Sequence, residues 1–277
     1  MKTIGDSLAF VDIVGIKLGM TPQQAFTAVK AFNPNLKIDI INARLEPGDA
    51  PGTFKRVPQF AVAHTVGKQS NPLSPIPFTL ADSSADVIAL EFTTPPTPPM
   101  VGKITREVTF SQPVVASNLM DALRKKYGHD NYTNGSGLVW VFDSSSGKLL
   151  ARRLTSAERS CVPGSPFDGF GFNGGGMMPG PGSLLNDSPT PINLTSFMAG
   201  LSPERGLICA PFIIAMNYGL GEGTSPDLKM PNMILTIQSP ALLYASTKNT
   251  HDWLQSQFDS RKKKEDEDAQ RRAAPKL

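Results

Sequence analysis

The sequence predicts an α+β fold built from two tandem modules, each a helix on an antiparallel meander, followed by a C-terminal β-unit. Two observations carry this prediction: a capped amphipathic helix precedes alternating strands near the N-terminus, and a similar succession recurs after residue 100. A chain of 277 residues with 40% hydrophobic residues can bury a substantial core. We expect the divisions to be 1–95 and 96–160 for the modules, 161–206 for an insertion, 207–258 for the β-unit with a helix, and 259–277 for a tail.

The N-terminal stretch from Gly15 to Ala25 predicts a short strand, a glycine turn and a helix. Thr21 and Gln24 have the spacing of a capping box, and Pro22 suits the first helical position because its φ is fixed and its missing N–H is not needed there. We expect the buried face of this helix to carry four apolar residues, which are Ala25, Ala28, Val29 and Phe32.

The residues from Asp12 to Phe32 resemble the helix-plus-small-sheet modules of SmpA/OmlA-type outer-membrane lipoproteins and of β-lactamase inhibitor proteins, because Gly19-Met20-Thr21 is followed at once by a short amphipathic helix. The resemblance covers about twenty residues, with a weaker echo in the second module. It implies binding modules of the cell envelope that carry no catalysis. Those families have an N-terminal export signal, and residues 1–20 show no apolar run long enough for one.

Strands are predicted at 36–45, 60–66 and 86–92, where apolar residues alternate with polar ones. Pro and Gly fill the loop at 46–53, and Pro residues fill the connector at 71–77. The run Thr93 to Pro99 contains four prolines and predicts a stiff module boundary or a loop that covers a sheet edge.

In the second module, a strand is predicted at 103–110 and a helix from Pro113, which ends at Gly128 after Arg124, Lys125 and Lys126. Residues 137–142 and 148–152 flank a turn and predict a hairpin. The alternative to two related modules is two unrelated α+β hairpin units whose similar order of elements is a coincidence. Strands at 207–216 and 232–238 then predict the β-unit that closes the fold, and 250–258 predicts a helix before a solvated or disordered tail.

Composition argues against nucleic-acid binding. The net charge of +3 comes mainly from the tail, which leaves 20 basic and 19 acidic residues before Asp259. No run is apolar enough for a membrane span. We expect a periplasmic or secreted location if an export leader was removed, and a cytoplasmic one otherwise.

Cys161 and Cys209 flank the insertion and could form a disulfide, with two unrelated reduced thiols as the alternative. Within the insertion lies a cluster of apolar side chains on a Gly-rich loop, which suits a partner-binding surface or a cover over the sheets. Its members are Phe167, Phe170, Phe172, Met177 and Met178.

No motif predicts a cofactor, a metal site or a catalytic site. The residues from Gly169 to Gly174 match the dinucleotide-binding pattern G-x-G-x-x-G. Such a site needs a strand before the pattern and a helix after it, but prolines and glycines occupy both positions here. The three histidines His64, His129 and His251 lack metal-ligand spacing. Asp86, Glu91 and Glu107 sit on predicted strands, and we expect them to face solvent as ordinary surface acids.

These observations predict a non-enzymatic binding or assembly protein with a protein as its partner, and the resemblance implies a location in the bacterial cell envelope. Two other classes stay open. A hydrolase would place a histidine beside Ser, Asp or Glu in a deep pocket. A structural subunit of a larger complex would project the insertion and the C-terminal helix from its body.

Overall fold

The computed structural model describes residues 11–46, 55–65, 86–133, 137–143, 146–152, 154–155, 192–193, 211–216 and 225–273. These contain eleven strands and three helices. The strands are β1 (Asp12–Ile13), β2 (Ile16–Lys17), β3 (Lys37–Glu46), β4 (Lys55–His64), β5 (Asp86–Phe92), β6 (Val101–Val115), β7 (Tyr132–Thr133), β8 (Gly137–Val141), β9 (Ile192–Asn193), β10 (Phe212–Met216) and β11 (Lys229–Gln238). The helices are α1 (Pro22–Phe32), α2 (Ala116–Tyr127) and α3 (Pro240–Ala273).

Nine strands form one sheet in the order β7-β8-β10-β11-β6-β5-β4-β3-β9, and β1 pairs with β2 in a separate hairpin. All neighbours in the large sheet are antiparallel except β3 and β9. The α+β class is therefore confirmed. The β10–β11 pair was predicted as a unit that closes the fold, but it lies inside the sheet between β8 and β6.

Helices α1 and α2 pack on one face of this sheet and share a single apolar core. That core contains Val29 of α1, Leu123 of α2 and Trp140 of β8, together with Ile104 and Ile237 from the central strands. Helix α1 precedes β3 to β6, and α2 precedes β7, β8, β10 and β11. The sheet runs without interruption from one half to the other, so the two halves are not separate sheets. The relationship between them as tandem modules stays a prediction.

Helix α1 starts where the capping box predicts. The Gln24 main-chain N–H donates to Thr21 Oγ1 at 3.3 Å, and the Thr21 main-chain N–H donates to Gln24 Oε1 at 2.9 Å. Ala25 and Val29 are buried, as predicted, whereas Phe32 is exposed and lies under the Arg106 guanidinium. Phe26 instead packs into the core, edge-on to Phe92.

We expect Thr21→Ala to lower the free energy of unfolding by about 1 kcal/mol, because it removes a partner for an otherwise unpaired helix N–H. Thr27→Ala is the matched control, since Thr27 lies exposed within the same helix. Urea denaturation of both variants measures the difference. Equal stabilities of Thr21→Ala and the parent protein would contradict a capping role.

Helix α2 begins at Ala116, three residues later than predicted. Pro113 belongs to β6, in the stretch between Thr109 and Val114 where the pairing of β6 with β11 shifts register. A proline has no N–H for a regular ladder, so an irregular stretch tolerates it. The predicted end of this helix is confirmed, since Gly128 follows its last turn with a φ of 88°.

The turn after β8 is confirmed, but its second arm is shorter than predicted. The Gly147 N–H donates to the Asp143 carbonyl at 2.7 Å, and a single bridge then joins Phe142 to Leu149. The run Thr93 to Met100 connects β5 to β6, which are adjacent antiparallel strands. The predicted division at residue 95 therefore falls inside a strand connection.

The C-terminal helix α3 is much longer than the predicted 250–258. It starts at Pro240 after the capping residue Ser239, whose Oγ accepts from the Leu242 N–H at 3.4 Å. Residues 259–273, predicted to be a solvated or disordered tail, continue this helix, and residues 259–267 are exposed. No helix of the described residues is long and apolar enough to cross a membrane.

Candidate binding site

A row of polar side chains crosses three central strands near one end of the sheet, on the face opposite α1 and α2. The register places Gln238 of β11 opposite Lys103 of β6, and Lys103 opposite Glu91 of β5. All three residues are buried. Neighbouring strands lie about 4.8 Å apart, so the row spans about 10 Å from Gln238 to Glu91.

The row faces α3, as its neighbours show. Phe60 of β4 lies opposite Glu91, and it packs in a small apolar cluster with Leu254 and Trp253 of α3. Gln59, which precedes Phe60, also belongs to the row because its side chain is hydrogen-bonded to the Glu91 carboxyl group. Gln59 sits at the point where the register of β3 and β4 shifts, which lets two consecutive β4 residues reach the same face.

Two glutamines of this row have side-chain atoms without a hydrogen-bond partner among the described residues. Gln238 is only 1% exposed, and neither its Nε2 nor its Oε1 has a partner within the described part of the chain. Gln59 Oε1 is also buried there without one. A buried polar group without a hydrogen bond costs about 1–3 kcal/mol, and native proteins contain few of them. Among the described residues the row holds three of the four buried side-chain atoms without a partner, and the fourth is Gln255 Oε1 on α3.

Burial raises the pKa of Glu91 from 4.5 to about 7, with smaller opposing effects from the Lys103 charge and the Gln59 hydrogen bond. The prediction that Glu91 faces solvent is wrong: its side chain is 8% exposed and shares a sheet face with buried Val87. The sequence pattern already indicated this burial, because every second residue of a strand points to the same face. Glu91 therefore shares a face with residues 87 and 89, which are both apolar. Glu91 can change protonation near neutral pH.

The other two acids on these strands are also less exposed than predicted. Asp86 forms a bidentate pair with Arg106, whose Nε lies 2.9 Å from Asp86 Oδ1. Burial raises the pKa of Glu107 above its ordinary value. Neither acid lies next to a second carboxylate in the pairing of β5, β6 and β11, so the arrangement does not provide the two facing acids of glycoside hydrolysis.

Hydroxyl groups fasten α3 over the connection that follows Glu91. The Thr94 N–H donates to Ser246 Oγ at 2.7 Å, and the Thr94 and Thr250 hydroxyl oxygens are 2.6 Å apart. Thr250 Oγ1 also lies 2.6 Å from the Pro95 carbonyl oxygen. At the start of the helix, Leu243 lies directly against Gly102, where a Cβ atom would collide with its side chain. The helix therefore lies across the end of the sheet that holds the polar row.

The three histidines lie apart, on β4, after α2 and on α3. His64 Nε2 is 2.9 Å from Asp39 Oδ2, and His64 Nδ1 is 3.1 Å from the Thr65 carbonyl oxygen. That hydrogen bond from His64 is the largest cause of the lowered pKa of Asp39. Because both ring nitrogens face acceptor oxygens, this imidazole does not present a free nitrogen to take a proton from a serine.

His129 and His251 each lie beside the aspartate that follows in the sequence. His129 is exposed, and its Nδ1 is 3.1 Å from the Asp130 carbonyl oxygen. His251 Nδ1 is 3.2 Å from Asp252 Oδ1 on the surface of α3. Among the described residues, no group of three or more His, Cys, Asp or Glu side chains could hold a metal ion.

The site residues predicted from sequence lie outside the described residues. These are Cys161 and Cys209, and the partner-binding cluster Phe167, Phe170, Phe172, Met177 and Met178. The predicted disulfide and the predicted partner surface therefore stay predictions. The polar row was not predicted, since cross-strand neighbours such as Gln238 and Lys103 are more than a hundred residues apart in sequence.

Comparisons with protein-family models, with curated proteins and with solved structures gave no match to this chain. The resemblance to SmpA/OmlA-type and β-lactamase-inhibitor modules therefore rests on residues 12–32 and the weaker echo in the second module.

Proposed function

We propose that the protein is a non-enzymatic binding or assembly protein of the bacterial cell envelope, and that its partner is a protein. The observation that carries the binding role is the polar row, in which Gln238 and Gln59 hold buried amide groups with unmade hydrogen bonds. The envelope location rests on the resemblance of residues 12–32, and it is the setting in which a disulfide between Cys161 and Cys209 would form.

Amide side chains suit a peptide partner. A glutamine donates through Nε2 and accepts through Oε1 at the same time, as a peptide group does. The unmade hydrogen bonds of Gln238 match the donor and acceptor of one main-chain unit, and Gln59 Oε1 adds an acceptor. Because the row is buried beneath α3, a main-chain segment of a partner would reach it only with α3 displaced from the sheet, and it would then satisfy groups that have no partner in the described part of the chain.

A structural role in a larger complex is a second candidate. Helix α3 is 34 residues long, which corresponds to about 50 Å, and only its first part packs on the sheet. Beyond Phe258, residues 259–267 are exposed, and the sequence there is strongly charged, with Lys262, Lys263 and Lys264 followed by four acids. Such a projecting helix suits attachment to a neighbouring subunit. The hydrolase alternative gains no support, because both ring nitrogens of His64 face acceptors.

The predicted partner surface gives the first test. Replacing Phe170 and Phe172 by Ser is expected to leave the melting temperature nearly unchanged and to weaken capture of a specific envelope protein, because aromatic anchors carry much of the energy at interfaces. Phe32→Ser is the matched control, since Phe32 is an exposed aromatic outside the insertion. Quantitative mass spectrometry of captured proteins, together with thermal unfolding, gives both readouts.

Two outcomes would count against the proposal. A large fall in melting temperature with capture unchanged would mean that the two phenylalanines cover the sheet, since burial of each ring is worth a few kcal/mol. Stoichiometric labelling of a serine by a fluorophosphonate probe would show an activated nucleophile and favour the hydrolase.

A further inference from the structure

Helix α3 is attached to the sheet apart from the main apolar core. Among the described residues, that core holds 27 buried side chains, and none of them comes from Pro240 or beyond. Leu254 of α3 instead belongs to a separate cluster of four buried residues, together with Leu45, Val57 and Phe60. The main core therefore does not depend on α3 for any of its described members.

The buried side of α3 is half polar. Four buried residues recur every three or four positions, so they lie along one side of the helix; these are Leu243, Ser246, Thr250 and Leu254. The hydroxyl groups of the middle two bond to the connection that follows β5. Hydroxyl groups bond equally to water when exposed, so breaking these contacts costs less net free energy than exposing a fully apolar stripe.

The sheet is also polar where it faces α3. Lys103 of β6 lies opposite Gln238 of β11, whereas the adjacent pair, Ile104 and Ile237, points to the other face and belongs to the main core. The amide group of Gln238 is buried, and its two polar atoms have no partner among the described residues. Water reaches this amide once the helix has left the sheet, which lowers the cost of release.

We propose that α3 is a releasable strap over the polar row, which leaves the sheet as one unit while the sheet, α1 and α2 stay folded. Ser239 is the hinge, since it lies between the last residue of β11 and the first residue of α3. Elements that share few apolar contacts with a core open at a lower free energy than the core itself. The use of this release, to let a peptide segment of a partner reach Gln238, rests on the proposed function.

Amide hydrogen exchange of the parent protein measures the release directly. We expect the amides of residues 243–254 to exchange at least about tenfold faster than those of β11, and at similar rates along the segment. The reason is that a helix free of the sheet keeps only the small protection of an isolated helix.

A disulfide tether tests whether this exchange comes from release. Thr94→Cys combined with Thr250→Cys places two thiols within reach of each other, because the native hydroxyl oxygens are 2.6 Å apart. Oxidation of this variant should slow the exchange of residues 243–254 by at least about tenfold, and reduction should restore it. Thr250→Cys alone, given the same oxidant and reductant, is the matched control and should show neither change.

Equal protection of residues 243–254 and of β11 in the parent protein would overturn the strap, as would fast exchange that the formed tether leaves unchanged. Exchange that quickens gradually toward Phe258, with residues 243–247 as slow as β11, would show fraying of the helix end and would also contradict release as a unit. These measurements need no partner. Release combined with equal capture of envelope proteins by the parent and Gln238→Met would support the strap and refute only the binding role of the row.

Discussion

Replacing Glu91 by Gln is expected to remove a large pH dependence from the stability of this protein. The folded pKa of Glu91 is about 7, against 4.5 for an unperturbed glutamate, so the folded state holds its proton more tightly than the unfolded state. Between these two pH values the unfolded carboxyl group is ionised while the folded one is still protonated. Stability therefore falls as the pH rises from 4.5 through 7, by about 3 kcal/mol in total.

The variant should show its gain only at the higher pH. At pH 3 the parent protein and Glu91→Gln should unfold at similar denaturant concentrations, because the parent side chain is then largely neutral in both states. At pH 8 the variant should be more stable by up to about 3 kcal/mol, since it carries no buried carboxylate. Glu265→Gln on the exposed part of α3 is the control and should follow the parent. Identical slopes of stability against pH for the parent and Glu91→Gln would contradict the burial of this carboxyl group.

Replacing Gln238 by Met should stabilise the isolated protein by about 1 kcal/mol or more. The thioether has nearly the shape of the amide side chain but carries no strong hydrogen-bonding group, so the cost of the unmade hydrogen bonds disappears. Gln257→Met is the matched control, because Gln257 is exposed on α3 and should change stability little. Guanidinium denaturation at one fixed pH measures both. A marked loss of stability in Gln238→Met would mean that the amide group is bonded in the folded protein.

Local patterns predicted local structure well. The capping box at Thr21 and Gln24 marked the start of α1, and the alternation from Asp86 to Phe92 gave the bounds of β5 as the structure has them. Pro113 misled the prediction for α2, because a proline suits an irregular strand position as well as a helix start. The charged run after Asp259 predicted solvent exposure correctly, but charge alone could not distinguish an exposed helix from a disordered tail.

The polar row could not be predicted from local patterns. It depends on the order of strands, which brings β11 beside β6 and thus Gln238 beside Lys103. The alternating pattern does show that Glu91 shares a face with apolar residues, yet it does not show that α3 packs over that face. Burial of an acid is a tertiary property, so the raised pKa of Glu91 becomes visible only in the assembled sheet, as do the buried amide atoms of the row that have no partner among the described residues.

The central claim is that the polar row is kept for binding and not for stability. The most direct measurement compares the parent, Gln238→Met and Gln257→Met for both unfolding free energy and capture of the envelope partner, using the same preparation of each protein. We expect Gln238→Met to be the most stable of the three and to capture at least about fivefold less partner, while Gln257→Met matches the parent. A Gln238→Met protein that gains stability and still captures the partner as the parent does would contradict the claim.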